Sequence, residues 1–73
     1  MEIFAERLKE LREEKGLTQR ELSRQTGIPR SSITFWEKAL RVPSATAVIT
    51  FAKFFGVTAD YLLGLEDFVM FKN

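Results

Sequence analysis

The chain has 73 residues, 45% hydrophobic and 29% charged, with eleven Lys+Arg against ten Asp+Glu for a net charge of +1. That is room for one small globular domain, and it is not the composition of a disordered chain. Cys and His are both absent, which excludes disulfides, thiolate nucleophiles, Cys/His zinc sites and imidazole acid–base chemistry. No apolar run is long enough to span a bilayer, and the acidic opening Met1 to Glu6 lacks the apolar stretch of a signal peptide, so a soluble, cytoplasmic protein with no membrane contact is expected. A domain this small has a marginal core and often gains stability from a partner subunit.

Ile3, Phe4, Leu8 and Leu11 recur close to a period of 3.6, which predicts a first helix over residues 2–15, ended by Gly16. Thr18 and Glu21 have capping-box spacing, so a second, two-turn helix runs over 19–26 and stops at Gly27. Pro29 suits a first helical position, which starts a third helix over 29–38, and Pro43 forces Arg41-Val42 out of helical geometry. Ser44 caps a fourth helix over 45–55, with Val48, Phe51, Ala52 and Phe55 on one side and Gly56 after it. Thr58 opens a short fifth helix over 59–63, closed by Gly64. No segment alternates with period 2, so no sheet is expected. The last nine residues, 65–73, are too apolar for a free tail: Phe68, Val69, Met70 and Phe71 make a dimer contact, fold back on the domain, or form a disordered end.

The segment from Gln19 to Arg41 carries the most information. Two short helices joined across Gly27-Ile28 have helix-turn-helix spacing, and the steep turn needs a residue that accepts positive φ. Ser23 sits where the two helices pass closely, so a small side chain is required, and a buried hydroxyl there must bond back to its own helix. Leu22, Ile28, Ile33 and Trp36 point to one core, leaving Arg30, Ser31, Thr34 and Phe35 on the exposed side of the third helix. Trp36 at helical spacing from Ile33 is read as core rather than as a base-stacking residue, like Phe4, Phe51 and Phe55. Phe35 either faces outward or packs beneath a loop.

The runs Leu8-Lys9-Glu10-Leu11-Arg12, Lys15-Gly16-Leu17-Thr18-Gln19, Gly27-Ile28-Pro29-Arg30-Ser31-Ser32-Ile33-Thr34, Trp36-Glu37 and Phe55 to Gly64, in this order over residues 4–64, resemble the phage repressor-like (Xre-type) helix-turn-helix DNA-binding domain family. The resemblance implies an all-α, five-helix, lambda-repressor-like fold over residues 1–64, with 65–73 as an appended apolar tail. It implies base readout by Arg30, Ser31, Thr34 and Phe35, and phosphate contact by Gln19, Ser32, Lys38, Arg41 and Ser44. Gln19 also braces the recognition helix. It further implies an Arg12–Glu37 ion pair, buried or reduced to two surface charges, and a homodimer, for which Phe54 at the end of the fourth helix and Phe68, Met70 and Phe71 of the apolar tail are the expected contacts. Lys38 and Arg41 are alternatively an ordinary solvated rim. Ala39 stands where the family usually carries Gly, so the exit of the third helix is expected to differ.

Charge is unevenly placed. Residues 15–41 hold six basic and two acidic side chains, a net +4, while the remainder holds five basic and eight acidic. This turns the helix-turn-helix toward phosphate. Glu10, Glu13 and Glu14 share one helix without a second ligand set or a glycine loop, so neither an enzyme nor a metal or other cofactor is expected. The expectation is a sequence-specific regulator, a repressor, reading a double-stranded, pseudo-palindromic DNA operator through the major groove. The alternative is an antitoxin or protein-interaction module of the same fold, engaging a protein partner through the tail.

Overall fold

Short-range signals set the helix ends. In the computed structural model, which describes residues 1–66, α1 spans Glu2–Glu14, α2 Gln19–Thr26, α3 Arg30–Glu37, α4 Ala45–Phe55 and α5 Ala59–Leu63. No strand occurs among the described residues. Thr18 Oγ1 accepts from the Glu21 N–H at 3.0 Å while Glu21 Oε1 accepts from the Thr18 N–H at 2.9 Å, completing the capping box. Ser44 and Thr58 cap α4 and α5 with a single bond each, their hydroxyls accepting from the Ala47 and Tyr61 N–H groups.

Two expectations about α3 need correction. Pro29 has φ −56° but ψ 137°, so it precedes the helix as its extended N-cap rather than forming the first helical residue. Its ring fixes only φ, and the chain arrives extended from the turn. At the other end Ala39 does adopt the left-handed region, with φ 58°, and its N–H and that of Leu40 bond back to Trp36 and Phe35. The helix exit therefore keeps the geometry that glycine normally provides, at a cost of about 1 kcal/mol for the alanine Cβ.

The core is built from Phe4, Leu8, Leu22, Ile33, Phe51, Val57 and Leu62, all fully buried. Burial of each such side chain is worth roughly 1.5–3 kcal/mol. Trp36 belongs to it, meeting Phe4 and Phe51 edge-on at centroid distances of 6.3 and 5.9 Å. α1 packs on α3 and α5, α2 on α3 and α4, and α4 on α5. Sequence reasoning did not foresee Arg7. It donates to the Tyr61 carbonyl and, at 2.5 Å, to that of Glu66, and its guanidinium stacks 4.2 Å from the Tyr61 ring. A cation at the carbonyl end of α5 thus ties it to α1. No helix among the described residues is long and apolar enough to cross a membrane. The anticipated tail contacts of Phe68, Met70 and Phe71 lie outside the described residues.

Candidate nucleic-acid interface

The turn between α2 and α3 is pinned from within. Gly27 has φ 78°, a conformation costly for any other L residue, and its N–H bonds to the Ser23 carbonyl at 2.9 Å. Contrary to expectation, the Ser23 hydroxyl does not bond back to its own helix; it donates to the Ile28 carbonyl at 2.6 Å across the turn. The turn brings that carbonyl within reach, so the hydroxyl satisfies a group α2 cannot. Thr26 completes the clasp, donating to the Leu22 carbonyl at 2.8 Å and accepting from the Ile28 N–H at 3.3 Å.

Behind α3 lies a polar brace. Arg12 of α1 meets Glu37 of α3 in a two-pronged pair, Nε to Oε2 at 2.7 Å and Nη2 to Oε1 at 3.0 Å. The side chains are only 12% and 4% exposed, so this is a largely desolvated pair in which losing one partner strands the other. The hydrogen bond that Arg12 donates to Glu37 raises the guanidinium pKa above its ordinary value despite burial, so the arginine stays charged at every working pH. Arg12 Nη1 also donates to the Leu17 carbonyl at 2.7 Å. Gln19, the first residue of α2, donates from Nε2 to Glu37 Oε1 at 3.1 Å and accepts at Oε1 from the Thr34 hydroxyl at 2.6 Å. One network thus fixes α3 against both α1 and α2.

On the outer side of α3, Arg30 and Ser31 are exposed while Thr34 and Phe35 are half-buried, and these four line one shallow recess. Arg30 forms no salt bridge among the described residues. Thr34 reaches the recess with its only donor already spent on Gln19. Phe35 both lines the recess and packs beneath a loop side chain, the Arg41 guanidinium, 4.3 Å from its ring centroid. Gln19 keeps one amide N–H for an external acceptor.

The remaining anticipated contacts disperse. Lys38, at the end of α3, borders a different recess shared with Glu2, Glu6 and Lys9 of α1. Ser32 is half-buried, and Ser44 is exposed but engaged as the cap of α4. Phe54 is half-buried, edge-on to Phe55 at 5.0 Å, with the Lys15 ammonium 5.3 Å from its ring. An apolar groove that sequence reasoning missed lies between α4 and α5, lined by Met1, Val42, Pro43, Ile49, Ala59 and Leu63. Val42 and Ile49 stand exposed in it. No cluster of potential metal ligands occurs among the described residues.

A family model described as helix-turn-helix matches residues 8–62. Among curated proteins, the chain is 38% identical over 66 residues to the HTH-type transcriptional activator BcrR of Enterococcus faecalis, covering 90% of this chain and 32% of that protein. It is 34% identical over 70 residues to the HTH-type transcriptional regulator ImmR of Bacillus subtilis, covering 96% and 54%. The uncharacterized HTH-type transcriptional regulator YqaE of Bacillus subtilis is 36% identical over 65 residues, covering 89% and 56%. The chain thus spans from 32% to 56% of the length of these relatives.

Proposed function

The chain belongs to the helix-turn-helix family, and on that premise we propose that it binds double-stranded DNA sequence-specifically and regulates transcription, acting as a repressor. α3 enters the major groove with its N-terminal end toward the bases. Arg30 supplies the principal direct readout: its planar fork matches O6 and N7 of guanine, a contact worth about 1–3 kcal/mol of discrimination. Ser31 adds a weaker, less selective contact. Gln19, Ser32, Lys38, Arg41 and Ser44, with the backbone N–H groups opening α2 and α4, meet phosphates and set the register.

One domain of this size buries roughly 600–1,000 Å² on DNA, so two copies read half-sites about one helical turn apart in a pseudo-palindromic operator. Repression by steric exclusion needs no surface beyond the DNA-binding one. The protein acts in the cytoplasm, without a cofactor and without a catalytic step.

The observation that carries this proposal is the division of α3. Ile33 and Trp36 enter the core and Glu37 the brace, while Arg30 and Ser31 stay exposed beside Thr34 and Phe35. Selection of bound duplexes from a random pool is the test. Enrichment of paired half-sites with fixed spacing is expected, and a pool that stays random overturns it. A second possibility, a protein-interaction module, draws on the apolar groove between α4 and α5; a chain that binds no duplex DNA at any salt concentration favours it.

A further inference from the structure

The recess on α3 is better suited to carbon than to hydrogen bonds. Among the described phenylalanines, Phe35 alone stands outside the core cluster and its packed neighbours. Arg30, Ser31, Thr34 and Phe35 line a shallow, open recess of about 270 Å³. Thr34 brings no donor to it, because its hydroxyl hydrogen is committed to Gln19. Donor capacity is left to Arg30 and Ser31, with the Thr34 oxygen able only to accept. A surface phenylalanine cannot read a donor or an acceptor, and it gains from burial only against another apolar group. Arg30 beside it and Arg41 upon it surround this apolar floor with positive charge, so what docks there is both anionic overall and locally apolar.

In the major groove of DNA the apolar feature is the C5 methyl, present on thymine and absent from cytosine. Resting on the DNA-binding role proposed above for the same face, we infer that the Phe35 recess is a receptor for a pyrimidine C5-methyl group. Binding then distinguishes thymine from uracil, and 5-methylcytosine from cytosine, at one base pair of each half-site. The methylation state of a cytosine at that position becomes a determinant of occupancy.

The experiment uses the full chain and a duplex recovered by selection, with each thymine of one half-site replaced in turn by deoxyuridine, which removes only the methyl. One position loses about fourfold in affinity, the equivalent of roughly 0.8 kcal/mol for one buried carbon. A 5-methylcytosine–guanine pair at that position binds about fourfold tighter than a cytosine–guanine pair. Phe35→Ala binds the thymine and deoxyuridine duplexes equally, and its melting temperature, read by circular dichroism, verifies that it folds. Indifference of the wild-type chain to every deoxyuridine, whatever the variant does, overturns the methyl receptor and leaves DNA recognition standing; so does a folded Phe35→Ala that keeps the full penalty. Failure of the wild-type chain to bind the selected duplex overturns both.

Discussion

The α2–α3 side and the α4–α5 side of this protein both leave apolar carbon in contact with water, but they hold it differently. Phe35 sits among arginines, above a helix fixed from behind by four polar side chains. The groove lined by Val42, Ile49 and Leu63 has no charged residue in its walls. The first surface is suited to a partner whose charge is fixed in space, the second to one that offers only shape and apolar area. What separates them is the brace, because rigid placement matters for hydrogen bonds and matters less for burial, which is not directional.

Removing the brace is the severest way to break this contrast. Arg12→Ala strands the Glu37 carboxylate and is expected to cost about 3–5 kcal/mol, measured by urea denaturation, whereas replacing both partners with apolar residues of similar volume costs much less. A single-variant loss under about 1 kcal/mol marks the pair as an ordinary surface contact. Arg30→Ala probes the outer face alone: it is expected to lose about 1–3 kcal/mol of preference for the selected site over random DNA with its melting temperature unchanged. Equal loss on both DNAs removes Arg30 from base readout.

Lys38→Ala sharpens the boundary of the first surface. Its expected effect is uniform weakening on all sequences, with the salt dependence flattened by about one unit. An unchanged slope returns Lys38 to the rim it shares with Glu2 and Glu6. The smallest effect belongs to the capping box. The backbone N–H and hydroxyl of Thr18 hold the Glu21 carboxyl below its usual range. The folded state therefore releases this proton more readily than the unfolded one, so the contribution is present above the ordinary glutamate value and disappears as pH falls through the lowered folded value. Melting curves of Glu21→Gln and the wild-type chain should differ at neutral pH and converge in acid; a constant gap rejects the assignment.

The helices were legible in the sequence because their start and stop signals are local. Thr18 with Glu21, Ser44, Thr58 and the glycines each act within a few residues. α3 was misjudged at its start for the complementary reason: proline sets φ, while ψ at Pro29 depends on where the chain comes from. The Ala39 exit keeps the left-handed turn, with its two backbone bonds, against the local preference of alanine. The four outward residues of α3 followed from periodicity and resemblance together, but Thr34's bond to Gln19 and Arg41's seat on Phe35 join positions 15 and 6 apart in sequence. Arg7 escaped notice because its acceptors are backbone carbonyls 54 and 59 residues away, which no side-chain pattern advertises.

The hydrogen bond from Thr34 to Gln19 also bears on redesign. An engineer grafting a foreign specificity onto this scaffold is free to exchange positions 30, 31 and 35, but Thr34 belongs to the chassis as much as to the payload. Replacing it uncouples the amide that aligns the helix, so a transplanted reading head works best with that threonine retained.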